Sequence, residues 1–464
     1  MAGLEAFHEV HIVGIGGAGM SAIARVLHER GFRVHGSDRQ ESPITAALPA
    51  EGIPVAIGHT AANLGQADLV LISSAVRADN VEVQAARRRG VRVMDRLELL
   101  GPLTDGYDVI AVAGAHGKTT VTGMITLLLL DAGLDPTYIV GGVMANLGTN
   151  AHAGSGKHFV IEADEYRNTF LALKPTLAVV TNVEFDHPDS FPSPRYVRMA
   201  FGEFVDKIRP GGTLVACNDD PVAHAVAASY HANGGHVLLY GQNEGIDLAW
   251  QAVNIHTNEQ GGVTFTAIHG RETSGDIALQ IPGTYNAVNA LAALTVASIL
   301  GIKWKVARAA LERFSGTARR FEILGEVDGI TVIDDYAHHP TQIRNVLSAA
   351  RQRYPERPII AAWEPHTFSR VRALHADFMT AFNEADRVLV LPIYAAREVD
   401  DGTLTAEVLA QQIVHPSVTA AVTLEDAIYR LVEQAQPGDV IILMGAGNEY
   451  IVGKRLVFEL ERTS

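Results

Sequence analysis

Short apolar runs that end in a glycine or an acid, each followed by a helical pattern, recur along the whole chain. A strand that is apolar on both sides must be covered on both faces, and a helix between consecutive strands makes them parallel. The alternation therefore restricts the chain to parallel sheets with helices on both sides. The N-terminal region shows it in "VHIVGIGGAGMSAIARVLHERG", a strand, a glycine turn and a helix, then in the strands "RVHGSD", "ADLVLISSAV" and "VRVMD". Pro102 and Asp105-Gly106 punctuate the chain. A second run opens at Asp108 with "DVIAVAG" and continues through "KHFVIEADE", "PTLAVVTNVEFDH" and "GTLVACNDD". Around 247–281 the pattern changes to antiparallel strands with glycine turns, and "NAVNALAALTVASILG" follows as a helix closed by Gly301. A third run begins near Arg319, with strands "GITVIDDYA", "RPIIAAWEP", "DRVLVLPIYA" and "DVIILMGAG" and a helix "PTQIRNVLSAAR" that carries proline in its first turn. No short-period repeat is present. The expectation is an α/β protein of three consecutive domains, 1–104, 105–318 and 319–464, the first and last Rossmann-like and the middle one a P-loop ATPase domain.

The 464 residues leave room for two to four domains, and 47% hydrophobic with 19% charged residues is a globular composition. The formal charge of -15 argues against non-specific nucleic-acid binding, though backbone N–H groups can still hold phosphate. Cys217 is the single cysteine, so no intrachain disulfide forms and a reducing compartment is the simplest reading. The N-terminus lacks a basic region followed by an apolar one, and "MITLLLL" is too short to cross a bilayer. A soluble cytoplasmic protein without membrane insertion is expected.

Two motifs point to phosphate. Gly14-x-Gly16-x-x-Gly19 follows a strand and opens a helix, and Asp38 ends the next strand, where a dinucleotide fold places its ribose acid. A glycine turn of a doubly wound domain reads the same way, and the motif alone does not separate NAD from another nucleotide diphosphate. The second motif is "DVIAVAGAHGKTTVTG". It ends like a P-loop, but Gly114 stands three positions before Gly117 where the usual spelling has five. The strand before it and the helix after it favour a working loop over an exposed lysine. Lys118 can then reach the β and γ phosphates and Thr119 can ligate Mg²⁺.

Glu162 in "VIEADEY" and His187 in "NVEFDHP" follow strands of the same expected sheet, whose carboxyl ends line the ligand crevice. Singly each reads as a solvated loop residue; beside the P-loop, Mg²⁺ ligation becomes the better reading. The third region gathers "DDYAHHP" (Asp334, Asp335, Tyr336, His338, His339) and "EPHTFSR" (His366, Arg370). Paired histidines also suit zinc, but no cysteine partner and no HExxH accompany them, so groups gripping phosphate or carboxylate are the stronger reading.

The order GxGGxGM, GxHGKTT, EADE, TNVExDH, NxxN, RRF, DDYAHHP and PHxxSR resembles the Mur ligases over essentially the whole chain, whose P-loop is itself of the shortened type. The resemblance implies an ATP-dependent amide ligase of peptidoglycan precursor synthesis, working through an acyl phosphate, with ATP and Mg²⁺ as cofactors. Within the family it is nearest the branch that takes UDP-N-acetylmuramate and L-alanine as substrates, and it implies a monomer or a weak homodimer. By matching motifs, Gly114, Ala115, His116, Gly117, Lys118, Thr119 and Thr120 form the ATP loop. Asn286 and Asn289 contact the nucleotide, Arg320 lies near the phosphates and Asp335 near the ribose. Thr119, Glu162 and His187 belong to the magnesium site. Lys118, Glu162, His187, Arg320, His338, His366 and Arg370 are the implied catalytic set, and Tyr336, His338, His366 and Arg370 the third domain's wall of the substrate site. Gly16, Gly17, Ala18, Gly19 and Met20, with Ser37, Asp38, His59 and Ser73, match the UDP-sugar side.

Thr367 stands where some alanine-adding members carry arginine, so one anion contact is expected to be missing, and "GAGNEY" replaces a more familiar GAGDI. No lysine occurs between Lys174 and Lys207, where other branches place a carbamylated one. The rivals are a murein tripeptide recycling ligase, an NAD-dependent oxidoreductase built on GxGxxG plus Asp38, and a non-catalytic nucleotide-binding module. The oxidoreductase leaves GKTT, Glu162 and NxxN unexplained, and the module has no need of a histidine-rich third domain.

Overall fold

A computed structural model describes residues 3–73, 75–243 and 247–463. The chain is a three-domain α/β protein built on three parallel-rich sheets. By compactness it divides into two units, the first comprising 1–184, 197–251 and 290–310, the second 185–196, 252–289 and 311–464.

The first unit holds a five-stranded, all-parallel sheet in the order Val55–Ile57, Arg33–Asp38, Glu9–Val13, Leu69–Ile72, Arg92–Asp95. The strand order reverses on either side of Glu9–Val13, so a crevice opens at its carboxyl end. The Gly14–Gly19 turn begins there and leads into the helix Ala18–Glu29. That helix also packs on Thr137–Met144 and Thr149–His152 of the next sheet, where Arg25 Nη1 donates to Asn150 Oδ1 at 2.9 Å and Asn150 Nδ2 to Ala18 O at 3.2 Å.

The second sheet of this unit runs His236–Gly241, Thr213–Cys217, Leu177–Val180, Asp108–Ala113, His158–Glu162, Thr137–Met144, Thr149–His152, with only the last pair antiparallel. Asp108–Ala113 is central, and five of its six residues are buried, as a continuous apolar run in a parallel sheet requires. The helix Lys118–Asp131 that follows is apolar nearly all round and buried from Val121 to Leu129. Its Thr122 and Thr126 return their hydroxyls to the carbonyls of Lys118 and Thr122, at 2.7 and 2.8 Å.

Trp250–Thr257 starts beside His236–Gly241 and continues into the second unit, where Val263–His269 and Glu272–Ala278 form the expected antiparallel hairpin. The second unit's own sheet runs Glu322–Val327, Ile330–Asp335, Val440–Met444, Ile359–Trp363, Arg387–Val390, Val418–Ala420, antiparallel only at its first pair. Apolar clusters cover both faces, one around Trp363 with Phe378 and Phe382, the other around Ile441, Leu443 and Leu456.

The structure adds strands that the sequence pattern does not reveal: Val55–Ile57, Thr137–Met144, Thr149–His152, His236–Gly241, Glu322–Val327 and Val418–Ala420. Most are short or polar and lie at or next to a sheet edge, where one face or one side is not covered and no continuous apolar run is needed. Among the described residues no helix is long and apolar enough to cross a membrane.

Candidate active site

The strand Asp108–Ala113 delivers its chain into a loop whose backbone is stitched to the neighbouring strand end. Gly114 has φ +145°, and a Cβ on it would lie 2.0 Å from Thr181 Oγ1. Ala115 N–H donates to Asn182 O at 3.1 Å and His116 N–H to Asn182 Oδ1 at 2.8 Å; Thr181 Oγ1 and Asn182 Nδ2 donate back to His116 O at 2.6 and 3.0 Å. His116 Nε2 meets Glu184 Oε2 at 2.7 Å. Gly117, at φ +79°, caps the helix with no side chain over its N–H groups, so the helix N-terminus stays open to an anion, and Thr120 follows half-buried in the first turn.

Lys118 curls back over this loop. Its Nζ donates to Gly114 O at 2.5 Å and to Glu165 at 2.8 and 3.1 Å. Burial works against the ammonium charge, but Glu165, Asp164 and Glu162 outweigh it and raise the Lys118 pKa. Thr119 Oγ1 donates to Glu162 Oε2 at 2.9 Å, and the same oxygen accepts from Gly141 N–H at 2.9 Å. A Cβ at Gly141 would sit 2.2 Å from that carboxylate, so glycine is required there for the acid to reach the threonine. A hydroxyl beside a carboxylate is a hard-oxygen pair of the kind Mg²⁺ takes, and a lysine inside an uncapped helix start suits a polyphosphate. The residues present fit both groups.

The sugar-nucleotide candidates also come together in the first unit. Ser37 O accepts from Gly14 and Ile15 N–H at 2.8 and 3.1 Å. Asp38 Oδ2 accepts from Gly16 N–H at 2.8 Å. Gly17 caps its helix without a side-chain bond; Ala18 and Gly19 lie in the first turn and Met20 is buried behind them. Ser73 Cβ lies 3.0 Å from where a Gly14 Cβ would stand. Ser37 Oγ contacts His59 Nδ1 at 3.1 Å and donates to Glu82 Oε2 at 2.5 Å. Glu82 is fully buried and also takes Thr60 N–H at 3.1 Å, Asn63 Nδ2 at 2.6 Å and His11 Nε2 at 3.1 Å. Burial alone would push its carboxyl up; hydrogen bonds from His11, Ser37 and Asn63 win and hold it at about 2.

In the second unit Asp186 is the hub. Arg370 Nε donates to its Oδ1 at 2.7 Å, His338 Nε2 stands 3.7 Å from Oδ2, and His187 N–H donates to Oδ1 at 2.6 Å. Arg370 also meets His366 Nδ1 at 2.7 Å and His187 Nδ1 at 3.4 Å. His187 has a left-handed φ of +55°, a strained conformation often found at functional sites. Burial and the adjacent Arg370 guanidinium push His338 down to about 3 and His366 to about 2, so both imidazoles are neutral at physiological pH. Burial would raise Asp186, but Arg370 and His187 hold it well below the usual carboxylate range.

Beside this cluster, the guanidiniums of Arg319 and Arg320 lie 4.8 and 5.1 Å from the Tyr336 ring centroid. Arg319 and Phe321 have φ of +61° and +52°, and the bend between them is fixed by acids: Glu322 takes Arg319 N–H at 2.7 Å and Asp335 takes Phe321 N–H at 2.8 Å. Burial raises the Asp335 pKa against the Arg320 charge. Asn289 Nδ2 donates to Asn286 Oδ1 at 2.9 Å, and Asn286 Nδ2 to Pro282 O at 2.7 Å, so the asparagine pair is braced. His339, by contrast, is a helix cap, accepting Thr341 N–H for Pro340–Arg353.

Lys118, Thr119 and Glu162 are therefore brought together in one unit, and His187, His338, His366 and Arg370 in the other. Four residues escaped the sequence reading. Glu165, Asp186 and Glu449 lie inside the quoted EADE, TNVExDH and GAGNEY stretches; Glu82 gave no such signal. Glu449 explains the GAGNEY departure: fully buried at the start of the helix Glu449–Thr463, it accepts Gly447 N–H at 3.0 Å and pairs with Arg319, which also reaches Asp334 at 3.2 Å. Thr367 adopts φ +64° with its N–H on Tyr394 O at 2.9 Å, and the guanidinium near His366 comes instead from Arg370.

Known proteins match this arrangement throughout. Residues 9–108 match the Mur ligase family catalytic domain, 112–297 the Mur ligase middle domain, and 319–447 the Mur ligase glutamate ligase domain. A UDP-N-acetylmuramate–L-alanine ligase of Frankia casuarinae is 42% identical over 97% of both chains. The crystal structure of a UDP-N-acetylmuramate–alanine ligase from Thermotoga maritima superimposes with a TM-score of 0.83 at 28% identity, covering 99% of this chain and 100% of that one. A murein peptide ligase from Psychrobacter arcticus gives 0.76 at 27% identity over 98% of each chain.

Proposed function

The chain belongs to the Mur ligase family, and from that membership we propose that it joins L-alanine to the lactyl carboxylate of UDP-N-acetylmuramate at the expense of ATP, in peptidoglycan precursor synthesis. The observation that carries the reading is the full-length similarity to alanine ligases together with a phosphate loop that holds Lys118 and the Thr119–Glu162 pair at one helix start. We assign 1–104 to the sugar nucleotide, 105–318 to ATP and 319–464 to the third, histidine-rich part of the site. The cytoplasm, which supplies ATP and nucleotide sugars, is the compartment this chemistry needs.

A carboxylate is a poor electrophile. Its oxygen attacks the γ-phosphorus of ATP, ADP leaves, and an acyl phosphate forms; the amine of L-alanine then attacks the acyl carbon, and phosphate leaves with the carboxylate's oxygen. Lys118 exchanges Glu165 for the β and γ phosphates and follows the charge as it shifts. Thr119 and Glu162, with His187, are the residues proposed to hold Mg²⁺, which would neutralise polyphosphate charge when bound. Asn286, Asn289, Arg320 and Asp335 line the nucleotide. In the second unit, neutral His338 and His366 leave Arg370 as the cation facing anionic substrate atoms, with Asp186 fixing its direction. Ser37, Asp38, His59 and Ser73 hold the sugar nucleotide with the Gly16–Met20 turn.

The test is product analysis with a panel of amines. L-alanine should give one amide, one ADP and one phosphate, and ¹⁸O placed in the sugar carboxylate should appear in the phosphate. Its absence there rules out the acyl phosphate. The recycling ligase is the second reading, kept because a murein peptide ligase shares the fold over the whole chain; a tripeptide that outcompetes L-alanine would make it the first.

A further inference from the structure

We propose that Arg96 is a direct ligand of the sugar nucleotide's diphosphate, its guanidinium closing the anion site that the Gly14–Gly19 turn begins. The inference rests on the reading of that turn as the sugar-nucleotide site and adds a cation that no motif contains.

Arg96 opens the helix Arg96–Thr104, directly after the strand Arg92–Asp95. It therefore sits at the carboxyl end of the same parallel sheet whose Glu9–Val13 strand feeds the turn. A Cβ placed on Gly19 would stand 3.3 Å from Arg96 Nη1 and 3.5 Å from Cζ, so the guanidinium lies against the first turn of the helix Ala18–Glu29. Even an alanine at that position would have to shift it by a few tenths of an ångström.

Three features make this placement unfavourable without an anion. The N-terminus of a helix carries a partial positive charge, and a cation beside it is repelled. That N-terminus is also uncapped: Gly17 brings no side-chain acceptor. Finally, the arginine's own donors are hardly used. Among the described residues Arg96 makes no hydrogen bond; its ion-pair partner is Asp164, with Oδ2 at 3.5 Å, and its Nε is shielded from solvent without an acceptor. Guanidinium donors left unmade inside a protein are costly. An anion between the guanidinium and the helix start reverses all three.

A diphosphate is the anion that fits. Asp38 already accepts Gly16 N–H at 2.8 Å, so the turn offers fewer N–H groups than its glycines suggest and carries a negative charge of its own. A dianion arriving there needs a compensating cation, and a fork of N–H donors that can bridge two phosphate oxygens supplies it. With a side chain about one-quarter exposed, Arg96 is within reach of a ligand.

The experiment titrates UDP, and separately ATP, into the purified full-length protein and its variants by calorimetry. Arg96→Ala should weaken UDP about tenfold or more and leave ATP affinity unchanged; Arg96→Lys, which keeps the charge and loses the fork, should recover part. Arg96→Gln gives the same reading should the alanine variant unfold. Asp164→Asn, which removes the acid partner, should leave UDP binding unchanged or tighter. Equal UDP affinity in wild type and Arg96→Ala overturns the proposal. So does an equal loss for ATP, or an Asp164→Asn loss as large as that of Arg96→Ala, since either makes Arg96 a brace between the two sheets. A wild-type protein that binds neither UDP nor UDP-N-acetylmuramate overturns the underlying reading of the turn instead.

Discussion

At Gly114–Gly117 the cation is part of the loop: Lys118 follows the last glycine, is half-buried, and is already neutralised by Glu165 at 2.8 Å. At Gly14–Gly19 the turn has no cation of its own, one of its N–H groups is taken by Asp38, and the nearby guanidinium of Arg96 comes from the far strand of the sheet, with Asp164 only at 3.5 Å. Both turns follow a buried strand and open a helix. They differ in what their proposed anion must do. A γ-phosphoryl moves during the reaction, so its cation has to track charge through the transition state and belongs on the loop itself. A sugar diphosphate only has to be held, and a cation on another element suffices.

Lys118→Ala should therefore give the largest effect and confine it to one turn. Turnover should fall on the order of 10²-fold or more, because an oriented cation at developing charge contributes several kcal/mol. UDP affinity should not change. Near-normal turnover in the purified variant would remove the distinction between a reacting and a holding site.

The glycines provide the next test. At Gly114 φ is +145° and the added Cβ would meet Thr181 Oγ1 at 2.0 Å with the Asn182 backbone just behind, so neither partner can yield. Gly114→Ala should cost about 2 kcal/mol or more and abolish ATP binding. At Gly16 there is no such φ, and the nearest atoms are the side-chain ends Thr45 Cγ2 at 2.8 Å and Asp38 Oδ2 at 2.9 Å. Gly16→Ala should cost less than about 1 kcal/mol and raise the KM for the sugar nucleotide several-fold by displacing Asp38. Urea midpoints for the two variants measure it; equal losses would mean that the turns are equally rigid.

The same contrast marks how far the sequence could be read. Lys118 and Thr119 adjoin their glycines, so local spacing suffices to find them. Arg96 stands on a different strand–helix junction, and only the folded sheet brings it to Gly19. Among the acids of "EADE", nothing in one sequence says that Glu162 turns to Thr119 and Glu165 to Lys118, since neighbouring side chains of a strand end diverge. Asp186 adjoins His187, yet its role follows from Arg370, which comes from a different strand end of the chain. Glu82 is the hardest case: a polar residue in the first turn of the helix Val81–Arg88 reads as solvated, and only the packing of Ser37, His11 and the 58–63 loop around it makes it buried. The strands missed are mostly three to six residues long and near sheet edges, where tertiary pairing overrides a weak local pattern.

Glu82 should affect stability on the sugar-nucleotide side alone. Its carboxyl falls from an ordinary 4.5 to about 2 in the folded chain, so the folded state binds its proton more weakly than the unfolded state. The stabilisation is complete above pH 4.5 and is lost as the pH falls towards 2, and it is on the order of 3 kcal/mol. Glu82→Gln should lower the melting temperature at pH 7 and flatten its fall between pH 4.5 and 2, with ATP affinity retained. A variant whose melting curve keeps the wild-type acid slope would show that other carboxyls set it.

The smallest expected effect is none at all, and it bears on the turn that a dinucleotide could claim. In an NAD-binding fold the acid at the end of the second strand is free to bind ribose hydroxyls. Here Asp38 Oδ2 is engaged by Gly16 N–H inside the turn, at 2.8 Å. That leaves a ribose only Oδ1, whose one contact among the described residues is Gln40 N–H at 3.5 Å, unless it breaks the bond to the glycine N–H. A ligand that binds only the native state raises the melting temperature by RT ln(1 + [L]/Kd), about 2.7 kcal/mol at a hundredfold excess over Kd. UDP-N-acetylmuramate should therefore shift the melting temperature by several degrees, and NAD and NADP at the same concentration should not shift it. A shift with NAD that disappears in Asp38→Ala would give the first turn to a dinucleotide, and Arg96 would then be bracing a different diphosphate.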